Sequence, residues 1–417
     1  MSKRNAVYAQ SGGVTAVINA SAHGWAMAAR EAGFIGEIYA GLNGINGILE
    51  ETLIDLGAQP PGAVEALREM PAGAFGSCRR KLKDMEKDAH LFQRIIEVLD
   101  AHDIGYFFYN GGNDSMDTVD KLSKYAADKG YDLRVLGIPK TVDNDLPVTD
   151  NSPGFGSVAK YNAISMLEGS RDLESMARDS TKVFVMETMG RHAGWIAAAT
   201  ALATREERDG PHLILLPEVA FDQARFMAAV ERTVERHGFC SVTVSEGAQD
   251  AQGRFLSESG EKDAFGHAQL GGAGVHIQEM VKRELKLKVH GAVPDYCQRS
   301  ARHIAAGVDV EQAIACGAEA VRLAGEGLSG QMVTIVRESD DPYRWSLSHT
   351  EASNIANKEK KMPPEFIRED GYHVTDAFRR YCLPLIQGED YPPYTAGLPQ
   401  YPRMERILAA KKLPAFA

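Results

Sequence analysis

The sequence is poor in cysteine: Cys78, Cys240, Cys297, Cys316 and Cys382 are the only five, none forms a CxxC pair, and the number is odd. A disulfide framework is therefore not expected, and free thiols in a reducing cytosol are. An excess of positive charge is also missing. Lysine and arginine total 46 against 57 aspartates and glutamates, a formal net charge of -11. So acidic a chain is not suited to nonspecific binding of nucleic acid or anionic membrane, and neither partner is expected. If the chain handles phosphates, its cations must be concentrated locally. No uninterrupted apolar run is long enough to span a bilayer. The opening MSKRNAVYAQ carries neither the apolar stretch nor the cleavage site of a signal peptide, so a cytoplasmic location is expected. No GxxxxGKS or GxxxxGKT occurs, which disfavours a P-loop enzyme, and no GxGxxG follows the first strand-like run, which weakens a dinucleotide-binding reading. There is no internal repeat strong enough to use.

What is present is a repeated pattern of short β-rich run, polar glycine-containing loop and helical stretch. Asn5–Ala9 leads to Ser11–Gly13 and the alanine-rich stretch Val14–Glu31. Ile104–Tyr109 leads to GGNDS (Gly111 to Ser115) and Met116–Lys129, and Arg134–Ile138 to PKTVDND (Pro139 to Asp145) and Ser157–Asp179. Lys182–Glu187 leads to TMGRHAG and Trp195–Thr204, and Ser241–Ser245 to Glu246-Gly247. Short apolar, β-branched runs of this kind suit strands buried on both faces of a parallel sheet. Their alternation with helices predicts an α/β protein of largely parallel, doubly wound sheets. In such sheets ligands bind beyond the carboxyl ends of the strands, where all these loops lie. The length of 417 residues allows two or three lobes, and apolar and charged contents of 44% and 25% are those of an ordinary globular chain. Asn357–Gly371, charged and proline-containing, and Gly388–Pro402, rich in Pro, Tyr and Gly, read as surface connections or subunit-contact arms.

Each loop admits a chemical and a plain reading. In Ser11-Gly12-Gly13 the missing Cβ atoms let backbone N–H groups approach phosphate, and a following helix adds partial positive charge; a tight strand-to-helix turn explains the glycines equally well. In GGNDS, Gly112 allows close approach and Asn113 and Asp114 offer hard oxygen ligands for a Mg²⁺–phosphate, whereas Asp or Ser alone would serve as a helix cap. Arg79 of GSCRR can clamp a phosphate through parallel hydrogen bonds; with Lys81 and Lys83 following, Arg79 and Arg80 also fit a solvated basic face. DND can be a turn, or Asp143 can be the carboxylate that takes a proton from a hydroxyl nucleophile.

Taken together, GGNDS and PKTVDND resemble the active-site loops of the phosphofructokinase family. MGR (Met189, Gly190, Arg191), Glu246 in SEG, and Tyr296 and Arg299 in DYCQRS resemble that family's sugar-phosphate segments, in family order over roughly residues 5–340. The resemblance implies two similar α/β lobes with the active site in the cleft between them. Residues 1–140 plus part of the C-terminal third would form the phosphoryl-donor lobe, about 141–310 the fructose 6-phosphate lobe, and about 340–417 a C-terminal extension. It further implies Asp143 as base, Asp145 orienting Asp143 or the Mg²⁺ hydration shell, Thr141 binding substrate, Glu246 bonded to sugar hydroxyls, and Tyr296 and Arg299 on the 6-phosphate. Gly12, Gly13, Arg79 and Gly112 would bind the donor. Asn113 departs from the family's usual aspartate, which puts direct metal ligation there in question.

In ATP-using relatives the positions of Asp114 and Lys140 are usually glycine. Here a carboxylate and an ammonium stand there, which resembles the branch that takes its phosphoryl group from inorganic pyrophosphate. A carboxylate where an α-phosphate would lie rejects a nucleotide by sterics and repulsion, while Lys140 beside the leaving phosphate compensates for the missing adenosine. Leu42, near where ATP-using relatives stack an aromatic on adenine, fits a site without a base. The resemblance also implies Mg²⁺ as cofactor and a homodimer or homotetramer, with Lys182 in place of an arginine that reaches a neighbouring subunit's phosphate; His290 near a second such position weakens that contact. Competing expectations are an ATP-dependent member, a catalytically inactive regulatory subunit, and a lipid or NAD kinase with a GGDG-type loop.

Overall fold

The computed structural model describes residues 3–256 and 272–416. In chain order the strands of its two main sheets are β1 (Arg4–Gln10), β2 (Ile35–Gly41), β3 (Leu53–Asp55), β4 (Ile104–Gly111), β5 (Arg134–Pro139), β6 (Val183–Thr188), β7 (Leu213–Leu215), β8 (Cys240–Ser245), β9 (Val289–Ala292), β10 (Gln331–Asp340) and β11 (Tyr343–Glu351). The first sheet has seven strands in the order β11-β10-β5-β4-β1-β2-β3; the second has four, β7-β8-β6-β9. The second sheet is parallel throughout. The first is parallel from β10 to β2, with antiparallel β11 and β3 at its edges.

The apolar runs form strands because both their faces are covered. In β4, Phe107 and Tyr109 enter one core cluster with Ile95 and Val119, while Phe108 between them enters another with Trp25 and Leu136. That alternation into two cores is what a strand sandwiched between helical layers requires. Helix Ile18–Glu31 packs so closely on helix Gly307–Gly325 that a Cβ at Gly24 would meet the Ile314 carbonyl oxygen at 2.0 Å. The tail returns to the first sheet: Asp55 N–H donates to Ile407 O and Ala409 N–H to Leu53 O, both at 2.8 Å. Among the described residues no helix is long and apolar enough to cross a membrane.

One expected element is shifted with consequence. The helix after β1 begins at Ile18, not Val14, because Thr15 Oγ1 accepts from Val17 N–H and holds a turn there. Gly12 and Gly13 are thus separated from the helix along the chain by residues 14–17.

Candidate active site

Three neighbouring strands of each sheet end at the same place. In the first sheet β5, β4 and β1 lie side by side, with Gly111 paired to Pro139 and Gln10 to Asn110. Their following loops are PKTVDND, GGNDS and Ser11–Gly13. In the second sheet β8, β6 and β9 lie side by side, with Thr188 paired to Ser245. Their following segments hold Glu246, Met189–His192, and Asp295–Arg299. The six loops enclose a cavity of about 670 Å³. Its walls include Gly12, Gly13, Arg79, Gly112, Asn113, Asp114, Lys140, Thr141, Asp143, Asp145, Met189, Arg191, Glu246, Tyr296 and Arg299. A larger cavity of about 900 Å³, bordered by His212, Arg225 and Arg379, contains none of the residues singled out from the sequence.

The donor wall is a glycine turn surrounded by cations. Gly12 has φ +78°, and a Cβ there would sit 3.2 Å from Lys140 Nζ. A Cβ at Gly13 would sit 2.7 Å from Arg299 Nη1 and 3.7 Å from Arg79 Nη2. The glycines therefore make room for three cations as well as for a ligand. Lys140 is only 5% exposed. Burial, with Arg79 and Arg299 nearby, lowers its pKa to about 8 against the opposing pull of Asp145 and Asp143. Arg299, placed by its motif on the sugar-phosphate side, lies over the Tyr296 ring at 4.1 Å and reaches across to Gly13.

Asp114 does not depend on Lys140 for a partner. Its Oδ1 accepts from Lys81 Nζ at 2.6 Å, and Lys81 also donates to Asn357 Oδ1 at 2.8 Å. Neither Asp nor Ser caps the helix Asn113–Asp128, whose N-cap is Gly112. Asn113 Oδ1 accepts from Asp114 N–H at 2.8 Å, and its Nδ2 donates to Lys358 O at 3.2 Å.

A second part of the lining, the acidic wall, begins in the same loop as Lys140. Asp143 is held above the ordinary carboxylate range by burial, then by Asp145 and Glu246, with Lys140 and Arg191 opposing. Asp145 is raised too, first by burial, with Glu359 adding to it and a Thr141 hydrogen bond opposing. The turn between them is fixed: Asn144, at φ +54°, donates to Tyr381 Oη at 2.8 Å and accepts from Ser152 N–H at 3.1 Å. Thr141 Oγ1 accepts from Asp143 N–H at 3.1 Å. Glu246, raised by burial, accepts from Gly190 N–H at 3.2 Å, which ties the SEG and MGR segments together.

Some expected residues lie elsewhere. Lys182 Nζ donates to the carbonyls of its own Ala177 and Arg178, away from this chain's cavity. His290 is exposed on β9. Leu42 packs half-buried against the first sheet's core, in a place an ordinary core leucine would take. The cavity also includes Lys81, His192, Asp295, Asn357 and Glu359, which the motifs did not single out. Lys81 and His192 adjoin recognised segments. Asn357 and Glu359 fall in a stretch that reads as a surface connection and carry no local signal.

The family model described as Phosphofructokinase matches residues 5–324. A pyrophosphate–fructose 6-phosphate 1-phosphotransferase of Methylococcus capsulatus is 56% identical over 416 residues, covering 100% of this chain and 99% of that one. A protein of the same name from Halomonas elongata is 55% identical over 417 residues, covering 100% of both. The crystal structure of a pyrophosphate-dependent phosphofructokinase from Nitrosospira multiformis superposes with a TM-score of 0.92 at 52% identity, covering 100% of each chain. With its glycine turns, its DND loop and its MGR segment around one cleft, this chain belongs to the phosphofructokinase family.

Proposed function

We propose that this chain transfers a phosphoryl group from inorganic pyrophosphate to the 1-hydroxyl of fructose 6-phosphate, giving fructose 1,6-bisphosphate and phosphate, and runs in both directions. The observation that carries the reading is the pair Asp114 and Lys140 in one cavity, each with its own surroundings: Asp114 bonded to Lys81, Lys140 packed against the Gly12 turn. A side chain at Asp114 narrows the donor end, and the cations left there suit a compact, highly charged diphosphate. The names of the relatives in Methylococcus capsulatus and Halomonas elongata support the same donor and acceptor.

Asp143 accepts the proton of the attacking hydroxyl, and its raised affinity for protons matches that task near neutrality. Lys140, Arg79 and the Gly12–Gly13 turn hold the donor and stabilise the charge that collects on the leaving phosphate. Glu246, Arg191 and the MGR backbone orient the sugar phosphate against Asp143. The chemistry of the acidic wall fits Mg²⁺. Asp143 and Asp145 carry more negative charge than their burial tolerates, which a divalent cation relieves. An Mg²⁺ ion here would be held by one or two carboxylates together with phosphate oxygens and water. Asp145 is the first candidate to hold it. Asn113 and Asp114 are weaker ones, since each already accepts a hydrogen bond. When bound, Mg²⁺ neutralises charge on the phosphate oxygens. We further propose a cytoplasmic homodimer or homotetramer.

Initial rates with fructose 6-phosphate, Mg²⁺ and either pyrophosphate or ATP test the reading. Turnover with pyrophosphate alone supports it; robust turnover with ATP and none with pyrophosphate ends it.

A further inference from the structure

Residues 357–362 touch three of the loops that form the active site while belonging to none of its motifs. They lie between β11 of the first sheet and helix Asp376–Cys382, whose Phe378 packs with Trp195 and Ile214 beside the second sheet. Asn357 adopts φ +56°, which asparagine tolerates better than most residues. Its amide is used at both ends: Oδ1 accepts from Lys81 Nζ at 2.8 Å and Nδ2 donates to Asp117 Oδ1 at 3.0 Å. Lys81 in turn holds Asp114, so the carboxylate at the donor end is fixed through Asn357 to its own helix. Next, Lys358 O accepts from Asn113. The Glu359 carboxylate stands 3.9 Å from His192 Nε2 on the sugar side.

Lys360 then grips the catalytic loop. Its N–H donates to Asp145 O at 2.6 Å, and its Nζ donates to Thr149 O at 3.0 Å and Asp150 O at 2.7 Å. Its own carbonyl accepts from Trp195 Nε1 at 3.0 Å, and its ammonium sits 5.3 Å from the Trp195 ring centre. Met362 N–H closes the segment onto Glu218, which also accepts from Gly194 N–H just after the MGR loop. Six consecutive residues thus connect the donor loop, the acid–base loop and the sugar-phosphate loop.

We propose that residues 357–362 are a strap that positions the reacting groups: Asn357 fixes the Lys81–Asp114 pair that shapes the donor end, and Lys360 fixes the turn that carries Asp143 and Asp145. Asn357 and Lys360 are positioning residues, acting through Lys81, Asp114 and Asp145. The proposal deepens the pyrophosphate reading and rests on it.

Two variants test it, Asn357→Ala and Lys360→Met, each compared with the wild-type protein for kcat and for KM of both substrates, with thermal melting to establish folding. Loss of the two charge-assisted hydrogen bonds in Asn357→Ala raises KM for pyrophosphate about tenfold and leaves KM for fructose 6-phosphate and kcat within about twofold. Lys360→Met lowers kcat about tenfold and leaves both KM values within about twofold, because the turn that carries Asp143 and Asp145 loses the hydrogen bonds from the Lys360 ammonium to Thr149 O and Asp150 O. Lys360→Arg, which keeps a charged donor, recovers kcat to within about threefold. An unchanged KM for pyrophosphate in Asn357→Ala, or an equal rise in both KM values, overturns the proposal. A wild-type kcat in folded Lys360→Met, or a rise in KM without loss of kcat, overturns its second half. Asn357 is exposed, so its variant decides even where Lys360→Met does not fold. Wild-type turnover with each donor is read first and bears on the functional reading alone. Should ATP prove the donor, the same variant-to-wild-type ratios measured with ATP still decide the strap.

Discussion

The lining of the cleft has two parts built from opposite materials, each drawing on both sheets. The cationic wall is backbone and cations: Gly12 and Gly13 without Cβ atoms, with Lys140, Arg79 and Arg299 gathered around them. The acidic wall is buried carboxylate: Asp143 and Asp145, in the same loop as Lys140, and Glu246 from the second sheet, all held above their ordinary proton affinity. A chain of net charge -11 has concentrated cations at one spot and, within a side chain's length, acids poised to take protons. The difference assigns the work. The cationic wall lowers the energy of phosphate charge, and the acidic wall moves the hydroxyl proton. Lys140 and Asp143 stabilise each other across the boundary, since each shifts the other towards its charged form.

The comparison breaks most completely if the base is removed. Asp143→Ala lowers kcat by about 10²- to 10⁴-fold, the usual worth of a general base, while fructose 6-phosphate still binds in equilibrium titration. Near-normal turnover excludes Asp143 from the role. At the donor end, Asp114→Gly combined with Lys140→Gly removes both charged groups; pyrophosphate turnover falls by at least about 10²-fold, the usual cost of losing a single preorganised electrostatic group, and weak ATP turnover appears. Unchanged pyrophosphate kinetics refute the roles of both residues. A smaller effect separates ligand glycines from packing glycines. Gly13→Ala pushes against the far end of the Arg299 side chain, which can move, so KM for pyrophosphate rises about tenfold, near 1.4 kcal/mol, with little change in melting temperature. Gly24→Ala pushes against the Ile314 backbone, so it lowers the melting temperature and leaves KM alone. Equal melting shifts in the two variants contradict the distinction. The mildest test is pH. Lys140, with its pKa lowered to about 8, loses its ammonium as pH rises through that value, so kcat/KM for pyrophosphate falls on the alkaline side from about pH 8. The Lys140→Met protein lacks that limb.

The fold class was legible in the sequence because it depends on short-range pattern, and most of the cavity was legible because its motifs resemble those of the phosphofructokinase family in order. Apolar runs such as Ile104–Tyr109 can only be double-faced strands, and loops that follow adjacent parallel strands share one edge. The motif residues therefore meet although Gly12 and Arg299 are far apart in the chain. Two kinds of feature were not legible. Lys81, Asn357 and Glu359 enter the site through contacts between distant segments, and the charged, proline-containing composition of 357–371 is also that of any exposed connection. The direction of a long side chain is equally hidden. Arg299 reaches to Gly13, and Lys182 turns back to the Ala177 and Arg178 carbonyls, because local packing chooses among rotamers that the sequence leaves open. Strand β11 is hidden for a third reason: a half-exposed edge strand with mixed polar residues lacks the apolar signature of the central ones.

The most direct test of the charge-shaped donor end is calorimetric titration of the wild-type protein with Mg²⁺–pyrophosphate and, separately, with Mg²⁺–ATP. The account predicts saturable binding of pyrophosphate and no binding of ATP at millimolar concentration, with ATP binding appearing only after Asp114 and Lys140 are both replaced by glycine. Wild-type binding of ATP as tight as that of pyrophosphate would contradict it.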